Sequence, residues 1–257
     1  MIVLVFSPPQ AARIWKGKGL SAMDKLRLRF EKTGRAVYIS HLDLMATMQR
    51  AFLRAGLELR YSEGFNPHPL ISILLPLSVG TASLCELMDF RLRRDADLSE
   101  LPARLTAALP EGLRVTEAYP CERKSAELKW LDVCGRLEYD RKPPAPEDLT
   151  AFFSRPEIVI EKKTKRGVGM TDIRPAIDRI KLSKDDFPQN ENTGKAEPFP
   201  YESVGCIRLD ARISAQEPTL NPELLVGALR QLEPGLAPDF AAFTRLETFD
   251  RDHRIYR

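Results

Sequence analysis

Polar and apolar positions alternate cleanly at residues 25 to 31, with Leu26, Leu28 and Phe30 on one face and Lys25, Arg27, Arg29 and Glu31 on the other. A period of two is the mark of a half-buried strand. The period then lengthens. Leu44, Met45, Met48, Ala51, Phe52 and Ala55 fall at helical spacing, introduced by Ser40 and Asp43 as an S-x-x-D cap and ended by Gly56. Leu57, Leu59 and Tyr61 predict a second strand, and further strands are expected near 70 to 75 and 86 to 93. Leu98, Leu101, Leu105 and Leu109 make a second amphipathic helix before a strand at 113 to 118. The order is β-α-β-β-α-β, that of a split βαβ or ferredoxin-like unit.

The second half repeats this order more faintly. Strands are expected near 127 to 138, 157 to 162, 205 to 213 and 243 to 249, and helices near 147 to 153 and 222 to 231. Asn221 caps the last helix, Pro222 suits its first position and Pro234-Gly235 ends it. The expectation is an α+β protein of two ferredoxin-like βαββαβ domains in tandem, at 23–120 and 127–257. Residues 1–22 read as a loose N-terminal extension. The polar, proline-bearing stretch 183–203 reads as a flexible insertion in the second domain.

Composition narrows the function classes only a little. With 257 residues, 43% hydrophobic and 29% charged, the chain suits one large globular domain or two ordinary ones. No apolar run approaches the ~20 residues that span a bilayer, so no membrane partner is expected. Cys85, Cys121, Cys134 and Cys206 lack any CxxC or paired Cys/His spacing, so neither zinc nor an iron–sulfur cluster is signalled in this chain. Reduced thiols and a cytoplasmic location follow as expectations. A net charge of +3, from 39 basic and 36 acidic residues, is too mild to identify nucleic-acid binding by itself.

Candidate chemistry gathers in two motifs that flank the first helix and hold two of the three histidines. Ser40-His41-Leu42-Asp43 puts an imidazole in a first helical turn, where free amides and the helix dipole suit a general base or a contact to an anion. Glu63-Gly-Phe65-Asn66-Pro-His68-Pro is stiffened by its prolines, so Asn66 and His68 lose little freedom on binding, and Phe65 or His68 can stack on an unpaired base. If the intervening hairpin folds back, His41 and His68 converge as candidate catalytic residues, with Ser40, Asp43, Glu63, Phe65 and Asn66 as substrate contacts. His41, Asp43, His68 and Glu86 could in principle ligate a metal, but their spacing is not diagnostic. A solvated cap and a simple turn account for the same residues.

Basic residues supply the remaining candidates. Arg27, Arg29, Arg91 and Arg93 lie opposite the apolar faces of their strands, as do Arg208 and Arg212, which predicts an arginine-bearing sheet face able to hold phosphates. Glu31, Glu58, Asp89 and Asp210 could equally neutralise that face. Lys162, Lys163, Lys165 and Arg166, followed by Gly167 and Gly169, read as a basic hairpin tip suited to a nucleic-acid backbone.

The strings ISHLDL and YSEGFNPHP within residues 25 to 80, with KKTKRG and TDIRP further on, resemble the bacterial radical-SAM-linked family, a domain of unknown function. The resemblance covers most of residues 23 to 257. Such proteins are fused to, or encoded beside, a radical SAM protein. The resemblance therefore implies a radical SAM partner that binds S-adenosylmethionine and an iron–sulfur cluster, with no cofactor in this chain. The strand-then-helix opening also resembles, at the level of fold, CRISPR RAMP endoribonucleases, which pair two ferredoxin-like domains to bind RNA. Three expectations follow. The first is an RNA-binding accessory protein acting in RNA modification, the second a metal-independent endoribonuclease using His41 and His68, and the third a module that docks the radical SAM partner.

Overall fold

A computed structural model describes residues 25–164, 167–184 and 205–257. The expected extension at 1–22, most of the expected insertion (185–203) and the tip residues Lys165 and Arg166 lie outside the described residues, as does the side chain of Lys163. Among the described residues fourteen α-helices and β-strands run in the order β1 Leu26–Lys32, α1 His41–Arg54, β2 Ile71–Ile73, β3 Ala82–Phe90, α2 Leu101–Ala108, β4 Leu113–Pro120, β5 Leu128–Tyr139, α3 Pro146–Phe153, β6 Val159–Thr164, β7 Gly167–Asp172, β8 Ile177–Lys184, β9 Gly205–Ser214, α4 Glu223–Leu232 and β10 Phe240–Asp250. Among the described residues no helix is long and apolar enough to cross a membrane.

The protein is α+β, built on one large mixed sheet rather than two separate ones. Its order is β4-β1-β3-β10-β5-β9-β8, with β2 also on β3, and β6–β7 forms a separate ribbon. The join between halves is the parallel contact of β10 with β3, Thr244 opposite Ala82 and Arg245 opposite Ser83. The other pairings are antiparallel.

Local sequence explains the first helix. Ser40 Oγ accepts from the Asp43 amide at 3.2 Å and donates to Asp43 Oδ2 at 2.7 Å, so the cap satisfies one otherwise orphaned amide. Leu44, Met48, Ala51 and Phe52 are buried along one face. They pack with Leu28, Phe30, Met88, Phe90, Leu101 and Leu105 into the core of the first half. Burying a side chain such as Phe52 contributes about 2–3 kcal/mol. The second core is larger, joining Leu137 and Leu209 of the sheet to Phe152 and Phe153 of α3 and Leu225 and Leu229 of α4.

Two expected strands differ. Residues 57 to 61 form only isolated bridges, Leu59 to Leu92 and Tyr61 to Pro69. The reason is a three-way junction: Arg60 N donates to Arg91 O, Arg91 N to Leu70 O and Leu70 N to Arg60 O, so no continuous ladder can run along the segment. The strand expected at 157 to 162 does form, as β6, but it pairs with β7 off the main sheet. Its expected place is taken by β8, which the alternation reading overlooked because a bulge between Ile177 and Arg179 breaks the period of two.

Candidate nucleic-acid interface

The polar face of β1 turns inward. Arg27 is fully buried (0% exposed). Its Nε donates to Asp89 Oδ1 at 2.6 Å and Nη1 to the Tyr256 hydroxyl at 2.7 Å, while Nη2 reaches Asp89 Oδ2 and the Arg123 carbonyl. Burial works against its charge, but Asp89 and then Tyr256 outweigh that and hold the guanidinium pKa above its ordinary value. Arg29 is likewise buried and forks onto both carboxylate oxygens of Glu247, at 2.8 and 3.1 Å. These donors are consumed inside the protein, which corrects the expectation that Arg27 and Arg29 hold phosphates. Together with Arg245–Glu86 at 2.7 Å and Arg123–Asp250 at 2.9 Å they fasten the first half of the chain to β10 and the residues after it. Arg212 is similarly engaged by Asp132. Arg208 forks onto Asp210 at 2.7 and 2.9 Å.

The two histidine motifs lie at opposite ends of the first-half sheet. Lys32 Nζ donates to the carbonyls of Val37 and Ile39, at 3.1 and 3.0 Å, which puts Ser40, His41 and Asp43 at the Lys32 end of β1. Burial lowers the Lys32 pKa, with Glu86 acting in the other direction. The 61–69 loop springs instead from the Arg91 junction, and β3 reaches that end where Phe90 pairs with Leu26. Six residue steps of β1 separate the two ends, about 20 Å. Among the described residues no hydrogen bond joins His41 to that loop. A shared acid–base pair of His41 and His68 therefore has no geometric support here. Nor has a metal set drawn from both ends, since Glu86 is buried and paired with Arg245.

The loop itself is a stiff, outward-facing structure. Ser62 N donates to His68 O at 2.8 Å, His68 N donates to Ser62 Oγ at 3.1 Å, and Ser62 Oγ lies 2.9 Å from His68 Nδ1. Gly64 takes φ +124°, a conformation that side-chain-bearing residues rarely adopt. These ties leave Phe65 fully exposed, with Tyr61, Glu63, Asn66 and His68 also exposed around it. At its foot stand Arg60, Arg91, Arg93 and Arg94, gathered because Arg60 N bonds Arg91 O and Arg93 N bonds Glu58 O. Arg60 reaches Glu63 at 3.9 Å and Arg94 reaches Glu58 at 3.8 Å, long and solvent-exposed pairs of little net energy.

A second basic element stands elsewhere. In the β6–β7 ribbon Lys162 faces Gly169 and Lys163 faces Val168, with Val168 and Met170 exposed. The ribbon is anchored to α4, since Glu161 N donates to Gln231 Oε1 at 2.8 Å and Gln231 Nε2 returns a bond to Glu161 O.

Sequence reasoning overlooked Arg60 and Arg94 beside the loop, and overlooked Tyr256. The run Arg91-Leu-Arg93-Arg94 was a visible signal for the former. Nothing local signals that Tyr256 meets Arg27, 229 positions away.

A family model described as "Uncharacterized protein conserved in bacteria (DUF2344)" matches residues 25–212. The chain belongs to this family. In DUF2344 terms the match spans both histidine motifs, the loop arginines and the β6–β7 ribbon, whereas α4, β10 and Tyr256 fall beyond it. No curated protein matches the chain. Among solved structures it is similar to one titled "Crystal Structure of an Unknown Protein from Galdieria sulphuraria", at 11% identity over 86% of this chain and 98% of that one, with a TM-score of 0.24. That likeness is too slight to bear on the activity of this DUF2344 chain.

Proposed function

We propose that this chain is an RNA-binding accessory protein that acts with a radical SAM enzyme in RNA modification. The partner would contribute S-adenosylmethionine and the iron–sulfur cluster. One observation carries the RNA reading: a fully exposed aromatic ring, Phe65, held out on a braced loop with four arginines at its base. Exposed aromatic rings beside cationic side chains are the recurring means of holding single-stranded nucleic acid. The ribbon bearing Lys162 adds a second basic contact. The radical SAM pairing rests on the ISHLDL and YSEGFNPHP resemblance. The strand orders β4-β1-β3-β2 and β10-β5-β9-β8 support reading the two halves as fused ferredoxin-like units. A cytoplasmic setting belongs to the same reading.

Fluorescence anisotropy with labelled RNA across a salt series tests this. The wild type should bind at low salt, and Arg93→Glu with Arg94→Glu should weaken binding and reduce the magnitude of the salt slope by roughly 1–2, about 0.7–0.9 per lost phosphate contact. No RNA binding at low salt would refute the proposal.

A protein-docking role has its own support at the other end of the sheet. The bond from Gly80 N to Val37 O, at 2.9 Å, draws exposed Val79 towards exposed Tyr38 and Leu42. If that patch seats the radical SAM partner, Leu42→Glu should abolish co-purification of the two purified proteins and leave RNA affinity unchanged.

A further inference from the structure

We infer that the 61–69 loop takes a single unpaired nucleobase, stacked on Phe65 and accepted through its Watson–Crick-edge N–H by His68 Nε2. This rests on the RNA reading above and narrows it from RNA in general to bases outside a duplex.

The hydrogen bonds around His68 carry the chemistry. Nδ1 faces Ser62 Oγ at 2.9 Å and the Asn66 carbonyl oxygen at 3.5 Å. A carbonyl only accepts, so a bare Nδ1 lone pair would face another lone pair there. A proton on Nδ1 instead donates to Ser62 Oγ, with the Asn66 carbonyl as a second, weaker acceptor. Ser62 Oγ has the two lone pairs needed to receive both this proton and the His68 amide proton. In the neutral ring Nε2 is then left as an acceptor on an exposed imidazole.

The aromatic ring makes the complementary demand. Phe65 has no neighbour covering it, and Gly64 with the Ser62–His68 ties fixes the backbone that carries it. A stacking platform needs a free base face, and an acceptor aimed at the base edge needs an N–H not already used in pairing. Both conditions hold only for a base out of the helix. The arginines at the foot of the loop, Arg60, Arg93 and Arg94, are suited to the flanking phosphates. Glu58 and Glu63, their exposed partners, exchange those contacts at little cost.

The test compares a short single-stranded oligouridylate, a duplex of equal length, and the same oligouridylate methylated at N3, which removes the imino N–H. Wild type should favour the unmodified single strand over both. Phe65→Ala should lower single-strand affinity about 5- to 100-fold, in line with stacking losses at such platforms, and leave duplex affinity alone. Equal affinity for the methylated strand would remove the His68 contact and overturn the inference. So would an unaltered Phe65→Ala variant in which Arg93→Glu with Arg94→Glu still weakens binding, a result that keeps RNA binding and discards the loop as its reader. Loss of the radical SAM partner, rather than of RNA, in Phe65→Ala would overturn it in favour of a protein ligand. Failure of the wild type to bind any of the three RNAs would instead fell the underlying RNA reading.

Discussion

Replacing Tyr256 by Phe deletes one oxygen atom from the centre of the molecule. That hydroxyl accepts from Arg27 Nη1 at 2.7 Å and lies 3.0 Å from the Lys124 carbonyl and 3.3 Å from the Arg123 carbonyl. The ring would stay, and with it the stacking of Arg27 and Arg123 at 5.1 and 4.8 Å from its centroid. The change therefore isolates the hydrogen bonds. A bond to a charged donor contributes about 1.5–3 kcal/mol, and a buried donor left unpaired costs about as much, so a loss of roughly 2 kcal/mol is expected. On a chain of this size that corresponds to a fall in Tm of about 4–8 °C. Urea unfolding should show the midpoint reduced by about 1 M with the slope unchanged, taking a slope near 2 kcal/mol/M. Tyr38→Phe, which alters a half-exposed ring, serves as the control and should stay within about 0.5 kcal/mol. If Tyr256→Phe is as silent as the control, the hydroxyl does not fasten the chain's end to β1.

Other outcomes follow from the same geometry. Gly112 takes φ +87°, and a Cβ there would strike the Thr33 carbonyl, which accepts no such approach; Gly112→Ala should cost more than about 2 kcal/mol, while Gly80→Ala, at φ +88° but in open space, should cost about 1. Matching losses in urea melts would refute the steric part. Burial pushes the Cys85 thiol up to about 12, so in native protein at pH 8 a thiol reagent should label the half-exposed cysteines and spare Cys85 until the chain unfolds. Rapid native labelling of Cys85, read by peptide mass, would contradict that burial. Asp250 behaves oppositely to an ordinary buried acid: burial raises its pKa, but the Arg254 amide, the Arg123 guanidinium and the Asp252 amide outweigh this and hold it below the usual carboxylate value. Its stabilising effect is therefore present above pH ~4 and lost as pH falls through the lower folded value. Asp250→Asn should flatten the acid limb of stability against pH, and an unchanged limb would assign that dependence elsewhere.

The first third of the chain was the most legible from sequence, and the reasons are local. β1 shows in its alternation and α1 in its cap, spacing and terminating glycine, none of which needs a distant partner. The bulge at Ile177 hid β8, because a single extra residue destroys the period on which such readings depend. Alternation also told which way Arg27 and Arg29 point but not what lies over them, and Glu247 and Tyr256 come from the far end of the chain. The separation of the histidines was in principle readable. A helix of 14 residues between the motifs carries its ends about 21 Å apart, which is the length of the sheet it covers. The rigidity of the 61–69 loop was legible in its prolines, whereas the arginines at its foot depend on the junction at Arg91.

The placement of β10 against β3, and of Tyr256 on Arg27, sets a timetable for biosynthesis. Arg27 leaves the ribosome 229 residues ahead of the hydroxyl that satisfies it. At roughly 5–20 residues per second, that delay is on the order of ten to fifty seconds. Throughout it the nascent amino-terminal half holds an uncapped strand edge and a buried-type cation with one acceptor missing. Its native packing thus waits until β10 and Tyr256 have been made, however quickly the early helices form.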